Sequence, residues 1–281
     1  MLALPEVEVV RRDLEKEVVG RRVKEVEVRP GSRAMKIIRR HGRRKEFQDL
    51  LVGAKVESID RVATSIALEL DNDRVLVVDL GDSGQLLKTS ASDGVASHTH
   101  ICIAFTIGGQ LRVLDPSISG EVYVSSKEDF ETFKKGTTAL DPFDNQPFTW
   151  HHFSTLLEEE QTPLKGVLTN QEFVSGLGNI YSDEVLFTAG LRYDRSSSSL
   201  SSQDVRRLYR AMMETMQDAL KARGTTWGDY EFKDLAGNPG QYQLELKVYE
   251  REGEACRRCR NIIVREDFAD EQTYLCPQCQ T

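Results

Sequence analysis

A chain of 281 residues with 39% apolar and 29% charged residues is a globular protein with room for two domains of ordinary size. Its net charge of -8 gives no general attraction to phosphate, leaving only a local basic stripe as a route to nucleic acid, and the same acid excess fits a mildly salt-adapted surface. Glu6, Glu8, Arg11 and Arg12 near the start are unlike a secretory leader, and no apolar run approaches the ~18 residues of a membrane span.

In chain order, residues 5–19 predict a helix. Pro5 suits its first turn, Val7, Val10, Leu14 and Val18 share one face, and Gly20 stops it. From 21 to about 128 short apolar or alternating runs separated by Asn, Asp and Gly predict a β-rich domain. Within it Cys102 reads as a core residue and His98 and His100 as a polar strand edge. Residues 129–148 lose periodicity and read as a linker. A helical domain over 149–245 follows. Its longest helix is expected to bury Val205, Leu208, Met212, Met216 and Leu220, with Ser201 or Ser202 as N-cap, and residues 224–245 are expected to form a Gly- and Pro-containing loop.

The last segment, 246–281, carries Cys256-x2-Cys259 and Cys276-x2-Cys279, separated by 16 residues. Each CxxC turn presents two thiolates, and four thiolates complete a zinc tetrahedron with no open position. The expectation is one structural Zn2+ in a zinc ribbon, in a reducing, cytoplasmic setting. Residues 164–191 (LKGVLTNQEFVSGLGNIYSDEVLFTAGL) read as a helix ending near Asn170, a turn with Gly176 and Gly178, and a second helix starting near Asn179. Such a turn can present backbone N–H groups and the Asn179 side chain to a phosphate; a plain helical hairpin is the alternative.

LPEVE at the start, GLGNIYSDEVLF, GNPGQYQLELKVYEREGEACRRC and the terminal CPQCQ occur in an order that resembles the formamidopyrimidine-DNA glycosylase/endonuclease VIII family. The resemblance spans nearly the whole chain and implies an α+β fold: an N-terminal β-sandwich with a leading helix over 1–128, a helix–two-turn–helix domain, and a C-terminal zinc ribbon. It also implies double-stranded DNA as partner, held through its backbone by Asn179, Gly178, Lys165 and Tyr249.

The chemistry-bearing positions depart from the family. The N-terminal proline nucleophile and the following Glu are replaced by Leu2 and Ala3, and the second catalytic lysine by Thr64, while Glu6 matches a pocket-shaping position. The phosphate-contacting His becomes Asp79, the residues that fill the gap left by a flipped base become Asp82, Ser117 and Ser119, and a ribbon Arg becomes Glu271. None of the family's catalytic set is retained, which leaves the Met1 α-amine as an alternative nucleophile. Three readings stay open. One is a DNA-binding protein without standard excision, using Asn179, the ribbon and the basic run Arg39, Arg40, Arg43, Arg44, Lys45. The second is a glycosylase or abasic-site lyase with another nucleophile. The third is an acidic module for a protein partner.

Overall fold

Helix α1 (Leu4–Val18) buries Val7, Val10, Leu14 and Val18 to 1% exposure or less, as the spacing predicts, and Gly20 leaves it with φ of 83°. The structure, a computed structural model, describes residues 2–144, 148–228 and 231–281. The chain divides into two units, 1–137 with 223–241, and 138–222 with 242–281.

In the first unit α1 is followed by a β-sandwich of two four-stranded antiparallel sheets. One sheet has the order β1 (Val23–Val28), β6 (Thr99–Phe105), β7 (Gln110–Leu114), β5 (Gln85–Thr89). The other has the order β2 (Val56–Val62), β3 (Ser65–Leu70), β4 (Arg74–Asp79), β8 (Glu121–Ser126). Strand β4 is buried without alternation because both faces of its sheet are covered. Val62, Ala67, Val75, Val77 and Tyr123 pack with Phe130 on one side, and Ile66, Leu76, Val78 and Val122 are buried on the other. Cys102 lies in the core at 5% exposure.

Short helices α2 (Ser32–Ile37) and α3 (Arg44–Leu51) lie between β1 and β2. They take part of the basic run into structural contacts. Arg39 and Arg40 each reach the Glu121 carboxylate at 3.0 Å, Arg40 stacks on the Tyr123 ring at 3.6 Å, and Arg44 donates to the Gly31 carbonyl at 2.8 Å.

Two expectations are corrected. The linker begins with a helix, α4 (Lys127–Gly136), whose Ser126 N-cap accepts from the Asp129 N–H and whose Phe130 completes the core beneath β4. One buried residue in ten gave too weak a period to read. The loop after residue 222 belongs in part to the first unit rather than to the helical domain. Arg223 bridges Asp13 and Asp234, and the Lys88 N–H donates to the Leu235 carbonyl at 2.8 Å.

The second unit contains α5 (Trp150–Glu159), α6 (Leu164–Thr169), α7 (Gly178–Ala189) and α8 (Ser202–Lys221), then the ribbon hairpin β9 (Val264–Phe268) and β10 (Glu271–Leu275). Ser201 is the N-cap of α8 in a capping box with Asp204, and all five predicted apolar positions of that helix are buried. The hairpin turns on Ala269 and Asp270, both with positive φ (48° and 66°), as a two-residue turn matching strand twist requires. Among the described residues no helix is long and apolar enough to cross a membrane.

His41, 6% exposed, accepts the Val124 N–H on Nε2 at 3.0 Å, so that nitrogen must be unprotonated. Burial lowers its pKa against the opposing pull of Glu46. The unfolded chain takes up a proton at His41 near pH ~6.5 and the folded chain resists it. Stability from this site is therefore full above that pH and falls as the pH drops below it. We expect the melting temperature to decline between pH ~6.5 and ~5, and the decline to flatten in His41→Gln, whose amide oxygen can still accept. Identical profiles for the two proteins would remove His41 as the cause.

Candidate nucleic-acid interface and zinc centre

In the second unit, α6 ends at Thr169 with Asn170 as C-cap, and the turn to α7 passes through Gly176 and Gly178 with φ of 58° and 63°. Left-handed backbone there is open to glycine at little cost. Asn179 follows as the second residue of α7. Its Nδ2 donates to the Gln272 carbonyl in the ribbon hairpin at 3.0 Å, and its Oδ1 is buried without a partner. The turn, the helix start and the hairpin thus meet at one half-exposed amide.

Two adjacent acids hold that arrangement. Asp183 is buried and accepts from Lys165 Nζ (2.6 Å), Thr273 Oγ1 (2.5 Å) and the Tyr274 N–H (2.9 Å). Glu184, also buried, accepts the consecutive N–H groups of Lys247, Val248 and Tyr249 at 2.9–3.0 Å. Burial raises the pKa of both acids, and the converging donors pull the other way. Lys165 corrects its sequence assignment. At 2% exposure its ammonium is engaged by Asp183 and by the Asn179 carbonyl (3.1 Å), so it orders the helix start and does not face solvent. Tyr249 is half-buried and packs edge-on to Tyr274 with ring centroids 5.1 Å apart.

At the ribbon, the Sγ atoms of Cys256, Cys259, Cys276 and Cys279 lie within 4.8 Å of one another, with Cys256–Cys279 at 3.9 Å and Cys259–Cys276 at 3.4 Å. Zn–S bonds of about 2.3 Å place tetrahedral sulfurs about 3.8 Å apart. The donor set and its spacing fit one structural zinc. The Arg258 N–H points at Cys256 Sγ (3.4 Å), and Phe187, Val248, Ile263 and Tyr274 pack around the knuckles.

In the first unit, the Leu2 N–H donates to the Gly81 carbonyl at 2.7 Å, and Ala3 is the N-cap of α1 with no side-chain bond to offer. Met1, the alternative amine, lies outside the described residues. Thr64 sits with Ala63 (φ 51°) in the β2–β3 turn. That turn is tied to α1 by Arg61, which donates to the buried Glu8 (3.0 Å) and to the Ala63 carbonyl (2.8 Å). Burial would raise the Glu8 pKa, but Arg11, Arg12 and Arg61 outweigh it and hold the carboxyl below its usual range. Glu6, fully buried, accepts the Thr225 N–H at 2.7 Å, and a Cβ on Gly224 would stand 2.8 Å from its Cγ.

The loops at 79–84 and 115–120 close on each other. Asp115, 1% exposed, accepts from the N–H groups of Ser117, Ile118 and Gly120 and from Ser83 Oγ (2.8 Å). Ser83, Ser117 and Ser119 form a hydroxyl chain at 2.6 and 2.9 Å, which ends by accepting the Asp82 N–H (2.8 Å). Asp79 folds back onto the Gly81 N–H at 2.9 Å. A Cβ on Gly81 would meet Ser119 Oγ at 2.4 Å, so the loops approach at a distance only glycine allows. His100 is not a strand edge: it is 4% exposed and its ring nitrogen meets the Asp115 carbonyl at 2.8 Å. Sequence reading missed Asp115, Glu8, Asp183 and Glu184 as anchors. The available signal was acidic residues within otherwise apolar buried runs.

Residues 1–122 match the family described as formamidopyrimidine-DNA glycosylase N-terminal domain, 138–230 its H2TH domain, and 253–281 a zinc finger found in FPG and IleRS. The formamidopyrimidine-DNA glycosylase of Heliobacterium modesticaldum is 35% identical over the whole of both chains. The chain belongs to the formamidopyrimidine-DNA glycosylase family. The enzyme of that name from Enterococcus faecalis is 36% identical, with all of this chain and 97% of the relative covered. Among solved structures, Lactococcus lactis Fpg in complex with DNA containing an abasic site superposes with a TM-score of 0.88 at 28% identity over 99% of each chain. The MutM (FPG) protein of Thermus thermophilus gives 0.84 at 30% identity, covering 99% of this chain and 98% of that one.

Zinc removal should release the ribbon, because thiolate–zinc bonding supplies much of the folding energy of so small a module. We expect about one zinc per chain in freshly purified, reduced protein and less in Cys256→Ser, with loss of the Glu184 and Asp183 anchoring seen as faster amide exchange at 247–249 and 274. Metal analysis finding no zinc in the unaltered protein would defeat the assignment.

Proposed function

We propose that this family member binds double-stranded DNA through its backbone and has lost standard base excision. The observation that carries the reading is chemical. With Met1 in place the Leu2 nitrogen is an amide, without a basic lone pair, and it is bonded to the Gly81 carbonyl. Excision needs an amine at C1′ and an acid for the departing base or sugar oxygen. Ala3 offers no proton, and Thr64 no amine. The serine chain anchored on Asp115 supports the same reading. Its hydroxyls are bonded to one another and too short to fill a base-sized gap, and inserted side chains are what offset the few kcal/mol of base flipping.

Retained DNA contact is supported by Gly178 and Asn179 at the start of α7, by Tyr249 in the same unit, and by the relative whose structure is a complex with abasic-site DNA. Lys165 serves as a positioning residue. The cytoplasm, where thiolates stay reduced, is the compartment proposed.

Asn179→Ala should weaken duplex binding by about 1.5–3 kcal/mol, as loss of a hydrogen bond to a charged group does, and to a similar degree on all sequences. Strong preference for one damaged base would contradict the backbone-only mode.

On chemistry, we expect no rapid excision of an intact oxidised base and at most slow cleavage at pre-formed abasic sites. A free α-amine at Met1, with a pKa of roughly 7.7–8.0, can condense with an abasic aldehyde without any base departing. Borohydride trapping on abasic-site DNA reads this directly, and N-terminal acetylation should abolish any adduct. Excision of oxidised bases at rates typical of glycosylases would overturn the proposal.

A further inference from the structure

The ribbon is electrically lopsided. Residues 251–265 carry five arginines and two glutamates, while residues 266–272, around the hairpin turn, carry four acids and no base. Arg257, Arg258 and Arg260 are exposed on the first zinc knuckle. Among the described residues none of the three has a carboxylate within ion-pair distance. Their neighbours do: Arg251 reaches Glu254 at 2.8 Å and Arg265 reaches Glu252 at 3.4 Å. At the opposite end Asp267, Asp270 and Glu271 are exposed. The paired strands between the two ends are five residues long, or about 17 Å at the usual rise.

Two further features single out this knuckle. Arg258 stacks on the Phe187 ring at 4.6 Å, close to the C-terminal end of α7, where a helix dipole favours a cation. Arg260 has φ of 69°, a left-handed conformation that glycine holds freely and arginine does not. A strained position occupied by a charged, unpaired side chain points to a use for that side chain.

We infer that the ribbon meets nucleic-acid backbone through this arginine knuckle and not through its hairpin tip. The inference rests on the DNA-binding reading above and names a second contact zone for it, about one strand length from Asn179. An acidic tip repels phosphate, whereas three unpaired guanidiniums release counterions on contact. Arginine also matches phosphate geometry with paired donors.

The test is duplex binding by the full-length zinc-loaded chain over a range of salt. Each phosphate contact contributes about 0.9 to the slope of log K against log salt. The double variant Arg257→Gln with Arg260→Gly should flatten the slope by about 2, while Asn179→Ala flattens it by less and lowers affinity. Arg260→Gly alone should raise the melting temperature, by relieving the left-handed strain, and still flatten the slope by about 1; zinc content and melting then exclude a folding defect. An unchanged slope in the double variant, with Asn179→Ala still weakening binding, would overturn the knuckle contact and leave the DNA-binding reading intact. Absence of duplex binding by the unaltered protein overturns both. Displacement of DNA by polyglutamate at equal charge concentration, lost in the double variant, would assign the knuckle to an acidic polypeptide and overturn the proposal as stated.

Discussion

The second unit is organised by two consecutive carboxylates buried on one helix. A carboxylate removed from water is costly unless nearly all its lone pairs are met by donors. Asp183 and Glu184 meet that requirement only when α6 supplies Lys165, β10 supplies Thr273 and Tyr274, and the chain ahead of the zinc knuckle supplies three successive N–H groups. Satisfying the acids therefore fixes the ribbon against the helix hairpin. The half-exposed Asn179 amide is placed by the same contacts, since its bond to the Gln272 carbonyl exists only when β10 is seated. Zinc closes the other end of the module, so that metal loading is linked to the geometry around Asn179.

The first unit shows a comparable device at its loops. Asp115 gathers N–H groups and hydroxyls from both the 81–84 and 115–120 segments, and the three serines knit the segments together. Short hydroxyl side chains can satisfy each other here because Gly81 lets the loops approach closely. Long side chains reaching out from these positions would need partners of their own. The tightness of this network supports the proposed loss of excision, because groups bonded inward are not available to act outward.

Legibility from sequence followed the physics of each element. Helices α1 and α8 and the zinc ligands were readable because a 3.6-residue apolar period and paired CxxC turns are local signals. Helix α4 was not, since its single buried Phe130 leaves no period in a charged segment. The docking of 223–241 onto the first unit depends on Arg223, Asp234 and the Lys88 backbone, contacts between residues far apart in the chain. Lys165 was misassigned for the same reason. The resemblance put it at the DNA backbone, and the acid 18 residues later that lies against it is not visible from spacing alone. The resemblance alone named Asn179, Gly178 and Tyr249, and the structure places all three in the second unit.

Burial also explains why so divergent a chain keeps the family fold. At 28% identity the superposition still gives a TM-score of 0.88. The residues that set the architecture, Asp183, Glu184, Glu8 and Asp115, are buried and hold several partners each, so a change at any of them leaves donors or charges stranded at a cost of a few kcal/mol. Glu271, at the hairpin tip, is exposed, and its replacement changes chiefly the field presented to a partner. Burial therefore makes a change in the first group costly to the fold and a change at the hairpin tip cheap. The acid at the hairpin tip and the exposed arginines of the knuckle, which have no carboxylate in ion-pair reach among the described residues, are surface groups of this kind, so the contact proposed for the ribbon rests on its charge pattern and not on the course of its strands.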